Sequence, residues 1–279
     1  MYYLLYNDKS NGGKPIKKAT KLEKKLSKKY EVKKINIFEL IGKEKEFSER
    51  LSENDHVVII GGDGTFHQFF NRISNAVIKC HLYAYASGRG NDFARDYSRK
   101  KMFEITHLVN NLPYIKVNDQ EEKKFLNGVG MGVDSLVCVE QIKNANMKVK
   151  ESYFKIALRV LKKFVPYNLD IEVDGTNYHF ERVWFFVCNN GRCFGGGMKI
   201  TPKAVREDDV LDICVVHNIK LFKLLCIFPL VFIGKHAAAS KKAVTMLRGK
   251  NIKVKPFGCD VLQMDGEVTY GVKELNISR

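Results

Sequence analysis

Acidic residues are scarce in this sequence relative to basic ones: 31 Asp+Glu stand against 47 Lys+Arg, a formal charge of +16 at pH 7. That imbalance favours polyanionic partners, whether nucleic acid, anionic membrane or phosphorylated small molecules. Other absences narrow the field. The longest apolar run, LFKLLCIFPLVFIG (221–234), is interrupted by Lys223 and Pro229. It falls short of the ~20 residues a spanning helix needs. The seven cysteines include no CxxC pair and no Cys/His spacing of a structural zinc site; they read as thiols of a reducing compartment. The opening MYYLLYNDKS lacks the basic and apolar regions of a secretory signal, so a cytoplasmic location is expected. No polar low-complexity tract and no internal repeat is present, and with 45% hydrophobic and 11% aromatic residues the chain reads as folded.

What is there divides in two. Over residues 1–118, strand-like and helix-like stretches alternate in the manner of a parallel α/β sheet: strands at YYLLY (2–6), EVKKINIF (31–38), HVVII (56–60) and HLYAYA (81–86), with helices opening at Pro15, over 43–52, after GGDGT and at NDFARD. Over 119–279 the strands lengthen and the helices thin out. Strands are expected at 123–132, 168–175, 178–189, 210–218, 251–256 and 260–271, with helices at 152–164 and 220–234. The expected architecture is a doubly wound-like parallel α/β domain followed by a β-rich, sandwich-like one.

In the first half, glycine-rich turns at 12–13, 61–64 and 88–90 each follow the C-terminal end of a strand. In open α/β sheets that edge is where ligands bind. Glycine lets backbone N–H groups approach a phosphate, and the next helix N-terminus adds unpaired donors. Three such turns on one edge point to a polyphosphate. Asp63, set among Gly61, Gly62 and Gly64 and followed by Thr65, is then a charge problem, because a bare carboxylate repels phosphate unless a cation or a proton transfer intervenes. The alternative is that Asp63 merely N-caps the helix that follows it. Capping is equally the alternative for Asn91 and Asp92, and Arg89 is either a phosphate partner or a solvated loop cation.

GGDGT at the end of a buried strand, followed by GRGNDFAR, resembles the diacylglycerol kinase catalytic domain shared by soluble bacterial lipid kinases, sphingosine kinases and ceramide kinases. Further motifs follow in order: NDKSNGG (7–13), NGVGMGVD (127–134), GGGMKITP (195–202), DDVLD (208–212), GKH (234–236) and DGE (265–267). The resemblance implies an ATP- and Mg²⁺-dependent lipid kinase, with diacylglycerol as first substrate, and a nucleotide cleft between the two domains. It implies nucleotide contacts from Asn7, Ser10, Asn11, Gly12, Gly61, Gly62, Asp63, Gly64, Thr65, His67, Gln68, Gly88, Arg89, Asn91 and Asp92. Asp63 joins a Mg²⁺ network, while Asp265 and Glu267 are the general base and its support. The alternative for Asp265-Gly266 is a hairpin turn. A second, structural Mg²⁺ is implied on Asp208 with the carbonyls of Val205 and Val210; a solvated acidic turn is the alternative.

The chain departs from the family pattern in three places. Phe66-His67-Gln68 replaces the usual x-Asn-Glu, Arg89 stands in place of a threonine, and Asp209 in place of a glycine. These leave open a changed nucleotide preference or low activity. ATP and a lipid are the expected partners, with transient contact to an anionic membrane; a homodimer is left open and nucleic acid is not expected, since no RRM, KH or helix-turn-helix signature accompanies the charge. Two other readings stand beside the lipid kinase: a soluble-substrate kinase of the NAD kinase type, and a non-catalytic basic lipid-binding protein.

Overall fold

In the computed structural model, the described residues are 1–72, 79–88, 90–97, 101–109, 111–149, 151 and 153–279, with only the backbone described at Asn11, Tyr153 and Phe154. The chain separates into two compact units, Met1–Leu112 and Pro113–Arg279. The division falls a few residues before the expected 118. Residues 114–117 form a strand of the second unit's sheet, pairing with Leu275–Ser278.

The first unit runs β1 (Tyr2–Tyr6), α1 (Lys14–Leu26), β2 (Val32–Asn36), α2 (Glu44–Glu49), β3 (His56–Gly61), α3 (Asp63–Arg72), β4 (His81–Ala86), α4 (Asp92–Asp96), β5 (Met102–Glu104) and α5 (Thr106–Val109). Strand order is β2-β1-β3-β4-β5. The apolar run of β3 sits at the centre, with Val57, Val58, Ile59 and Ile60 all buried, as a strand covered on both faces requires. Alternation places Leu4, Val58 and Ile60 against Ala19 of α1, and Leu5, Val57 and Ile59 on the other face. The expected sheet was parallel throughout; β1 to β4 are, but β5 runs antiparallel to β4. The reason is reach. The five residues of α4 rise about 7.5 Å, too little to carry the chain back along a six-residue strand of about 20 Å. The result is a mixed α/β sheet whose glycine turns follow the ends of β1, β3 and β4.

The second unit comprises β6 (Tyr114–Val117), β7 (Lys123–Lys124), β8 (Gly128–Gly132), α6 (Val133–Asn146), α7 (Tyr153–Lys163), β9 (Tyr167–Val173), β10 (Thr176–Asn189), β11 (Leu211–His217), α8 (Leu221–Ile227), α9 (His236–Ala239), β12 (Val244–Gly249), β13 (Asn251–Phe257), β14 (Leu262–Met264), β15 (Glu267–Thr269) and β16 (Leu275–Ser278). Among the described residues its strands form one antiparallel, eleven-stranded sheet. The long β10 makes that sheet fold over itself. Its first half pairs with β9, its second half with β8 and β11, and the register slips between them at Val183. The two halves enclose a core including Leu169, Ile171, Phe186, Ile213, Val254 and Ile277, a β-rich half-barrel sandwich.

On the outer face of β10, Trp184 and Val187 pack with Val137 of α6, Val160 of α7 and Leu224 of α8. The stretch 220–234, expected as one helix, is α8 followed by a 3₁₀ segment, Phe228–Ile233. Pro229 lacks an N–H, so a continued α-helical ladder would lose a bond there. The expected strand 123–132 is likewise interrupted, leaving 125–127 as a loop between β7 and β8.

Candidate functional site

In the first unit the turn after β3 has no slack. Asp63 already opens α3, and Thr65 and Phe66 donate their N–H groups to Gly62 O. The β4 turn presses directly against it. A Cβ on Gly62 would stand 2.8 Å from Gly88 Cα, and one on Gly88 would stand 2.6 Å from Gly62 Cα; the Ser87 N–H donates to Gly61 O at 2.6 Å. Packing alone therefore demands Gly62 and Gly88. Gly64 is different, because its φ is ordinary and a Cβ there would meet nothing within 4 Å. The fold gives no reason for that glycine, whereas a ligand lying close to the backbone does.

Asp63 does cap a helix, but not the expected one. Its Oδ2 accepts the Asp92 N–H and its Oδ1 the Phe93 N–H, both at 3.0 Å, so it caps α4 and locks the two turns together. Asn91, offered as a cap, instead closes its own loop: its Oδ1 accepts from Gly88 N at 2.8 Å and its Nδ2 donates to Gly88 O, with φ at 50°. Asn7 reaches Thr65 Oγ1 from the β1 end at 3.5 Å. Asn7, Asp63, Thr65, Gly88, Asn91 and Asp92 thus form one cluster, with Gly61 and Gly62 beneath it. Gly12 lies in the turn before α1 with left-handed φ, and Ser10 opens that turn, its carbonyl accepting from Gly13 N. His67 is buried in α3 beside Asn71, and Gln68 is exposed. Arg89 lies outside the described residues, as does the Asn11 side chain. Sequence reading missed Lys18, whose ammonium donates to Ala86 O at 3.0 Å. It places a cation at the sheet edge, and burial, with help from the charges of Lys101 and Lys14, lowers its pKa.

The second unit builds its polar site from buried side chains. Asp265 and Gly266 turn the β14–β15 hairpin with φ of 49° and 91°, as a two-residue loop of this kind requires. The turn alternative and the functional one coincide, because the Asp265 carboxylate also accepts the N–H groups of Leu126, Asn127 and Gly128. The same loop is gripped from behind by Arg206, which donates to Leu126 O and, at 2.6 Å, to Asn127 Oδ1. The Asn190 N–H bonds Asn127 O. Arg206, Asn127 and Asn190 are all buried, and a buried cation held this way is expensive to disturb. Glu267, the first residue of β15, is exposed.

Below β8 a second polar point appears, which the sequence marked only as the last residue of NGVGMGVD. Asp134 is buried at the start of α6, and burial pushes its pKa up to about 7 against a smaller downward pull from the Gln263 amide. A Cβ on Gly130 would stand 2.5 Å from Asp134 Oδ2 and 3.2 Å from Gln263 Nε2. Asp134 and His236 line a narrow cavity of about 30 Å³, whose other walls include Phe185, Phe194, Ile227 and Phe228 and are wholly apolar. Asp134 Oδ2 and His236 Nδ1 have no hydrogen-bond partner among the described residues. The GKH motif gains a physical reading here. Gly234 takes a left-handed φ of 71° with its backbone against Pro202, while His236 Nε2 contacts Ile200 O at 3.1 Å.

The acidic turn is arranged otherwise. Asp208 Oδ2 accepts from Arg248 Nη2 at 2.6 Å, and Arg279 donates to the carbonyls of Asp208 and Arg206. Val205 O accepts the Asp208 N–H, and Asp209 pairs with Lys250. Arg248 also pairs with Asp212 at 3.3 Å, partly offsetting the burial that raises that carboxyl's pKa. Two of the three expected Mg²⁺ ligands, the Asp208 carboxylate and Val205 O, thus already have partners within the protein. Mg²⁺ takes carboxylate and phosphate oxygens, and the carboxylates beside the glycine turns are those of Asp63 and Asp92.

Residues 1–114 match the family described as diacylglycerol kinase catalytic domain, and residues 127–274 match that described as YegS C-terminal NAD kinase beta sandwich-like domain. Among individual relatives, YtlR of Bacillus subtilis is 28% identical over 233 residues, 76% of this chain and 74% of that protein. A diacylglycerol kinase of Mycobacterium tuberculosis is 27% identical over 217 residues, covering 74% of this chain and 69% of the other. The fold is also similar to a crystal structure of a diacylglycerol kinase from Bacillus anthracis, at a TM-score of 0.70 and 20% identity over all of this chain and 94% of that one.

Proposed function

The chain belongs to the diacylglycerol-kinase-like catalytic domain family, and from that membership we propose that it transfers the terminal phosphoryl group of ATP to a lipid hydroxyl, diacylglycerol first. Family membership carries the lipid assignment, and diacylglycerol is the first substrate because relatives in Mycobacterium tuberculosis and Bacillus subtilis are diacylglycerol kinases. The apolar cavity beside Asp134 and His236, at about 30 Å³, has room for a water or two and not for an acyl chain.

On the nucleotide side, the amides of Asp63 and Gly64 and the open face at Gly64 cradle phosphates, with the Thr65 hydroxyl, Lys18 and Asn7 at their rim. Asp63 and Asp92 are the residues to hold a nucleotide-bound Mg²⁺. That ion would neutralise charge building on the transferred phosphoryl group. On the acceptor side, Asp265, which accepts three amides and fixes the loop, and the exposed Glu267 beside it are the two carboxylates that draw the proton from the hydroxyl and support its transfer. The protein works at a membrane as a peripheral enzyme, its basic excess drawing it to anionic lipid.

The test is transfer of labelled phosphate from ATP to a panel of diacylglycerol, monoacylglycerol, sphingoid and prenol lipids in mixed micelles. Labelling of one of them, abolished in Glu267→Gln, is the expected result. Transfer to NAD without any lipid would establish the soluble-substrate alternative instead. No transfer to any acceptor would remove the kinase assignment.

A further inference from the structure

The stretch 213–247 contains five lysines and not one Asp or Glu. All five, Lys220, Lys223, Lys235, Lys241 and Lys242, are exposed. Within it, α8 and the following 3₁₀ segment have two faces of opposite use. Leu224, Phe228 and Val231, at helical spacing, line the apolar cavity. Phe222, Cys226, Pro229 and Ile233, also at helical spacing, point the other way and are exposed, joined by Phe232. Phe222 is 77% exposed, Ile233 58% and Phe232 46%. A solvated helix has no use for three such residues in one short segment, and clustered exposed apolar side chains mark an interaction surface.

We propose that α8 and the 3₁₀ segment form the surface by which this protein docks on an anionic lipid bilayer, with Phe222, Phe232 and Ile233 entering the acyl boundary and the five lysines facing the headgroups. This rests on the lipid-kinase reading for its purpose, but not for its chemistry. Aromatic and aliphatic side chains flanked by lysines, with no acid to repel anionic headgroups, match the composition of interfacial helices. Each lysine near the surface adds to such binding by its attraction to anionic headgroups. A second copy of this chain is the poorer occupant, because a self-complementary contact would set the five lysines against their own copies. The segment's inner face is held by the apolar lining of the small cavity, through Leu224, Phe228 and Val231, which fixes the outward direction of Phe222 and Ile233.

Binding is measured without ATP, by sedimentation with vesicles of neutral phosphatidylcholine or of phosphatidylcholine with phosphatidylglycerol. Wild type is expected to bind the anionic vesicles at least tenfold more tightly, and weakly at high salt. Phe222→Ser with Phe232→Ser should lose at least tenfold of that binding, and replacing Lys220, Lys223 and Lys235 by Glu should abolish the preference for anionic vesicles. Because Cys226 is the only exposed cysteine of the seven, a polarity-sensitive dye attached there gives a readout that needs no substitution in the patch; its emission should shift blue on anionic vesicles only. Unchanged binding in both variants, or a dye that stays in water while the protein binds, overturns the proposal. So does a dye shift that follows protein concentration without vesicles, which would mean self-association. Phosphate transfer to a short-chain diacylglycerol in detergent should persist in the variants; its absence in wild type as well would count against the kinase reading and leave the docking result standing.

Discussion

The two units build their polar sites from different material. In the first, the cluster is mostly backbone: two glycine turns in direct contact, amides at the start of α3 and α4, and one carboxylate that caps across the gap. In the second, it is mostly buried side chains: Arg206, Asn127, Asn190, Gln263, Asp134 and His236, none on a glycine turn except through the loop that Asp265 holds. A backbone site suits phosphates, whose oxygens are alike and need only N–H donors. A network of buried side chains instead fixes one loop in one place, here residues 126–128, where the β7–β8 loop enters β8.

The sharpest way to break this comparison is at Asp63. Asp63→Asn keeps the size but surrenders the charge, and turnover should fall by about 100-fold or more, the scale of a lost electrostatic contact in a transition state. Circular dichroism should stay native, since the amide oxygen still caps one N–H of α4. Turnover close to wild type would return Asp63 to a purely structural cap.

Next in size is a pair of alanines that separates packing from binding. Gly62→Ala drives a Cβ into Gly88 and should cost roughly 1–3 kcal/mol of stability by urea unfolding. Gly64→Ala meets nothing and should leave stability within about 0.5 kcal/mol, yet raise the Kd for nucleotide about tenfold or more. Equal stability losses at the two positions would erase the distinction.

In the second unit the comparison is sharpened by pH. With the Asp134 pKa raised from 3.8 to about 7 in the folded protein, the native state keeps a proton that the unfolded chain has lost. Stability from this group is therefore greatest at low pH and drains away as pH rises from about 4 to about 7. Asp134→Asn holds no titrating proton. The difference between its melting curve and that of wild type should grow across pH 5 to 7 and level off above, and a difference independent of pH would contradict the burial argument.

The smallest effect concerns the turn at Asp208. Arg248→Ala should lower Tm by about 2–4 °C, the shift a loss of about 1 kcal/mol produces in a chain of this size. EDTA or added Mg²⁺ should leave the wild-type Tm unmoved in the absence of nucleotide. A Tm that falls with EDTA would mean that a divalent ion holds this turn after all.

The contrast also explains what could be read in advance. Backbone chemistry leaves its mark on local sequence, because a glycine next to an acid at a strand end has few reasons to exist; GGDGT and the strands before it were legible for that reason. So was the Asp265-Gly266 turn, though not that its carboxylate holds residues 126–128. Buried side-chain networks leave no local mark. Arg206 and Asn190 look like ordinary loop residues until the register of β8 against β10 brings them to Leu126 and Asn127. Lys18 was one lysine among many in α1, and only the parallel neighbours β1, β3 and β4 place it at Ala86. The antiparallel β5 was missed because three residues carry no periodicity, and the break in 220–234 was written plainly in Pro229 but weighed less than the apolar run around it.

The central claim is that the glycine-turn cluster around Asp63 serves phosphate transfer to a lipid. The most direct measurement is the rate of labelled phosphate transfer from ATP to diacylglycerol in anionic mixed micelles, with Asp63→Asn and Glu267→Gln each run beside wild type. The account predicts transfer by wild type and loss of turnover in both variants. Transfer that is indifferent to both substitutions, or that proceeds to a soluble acceptor in place of the lipid, would contradict it.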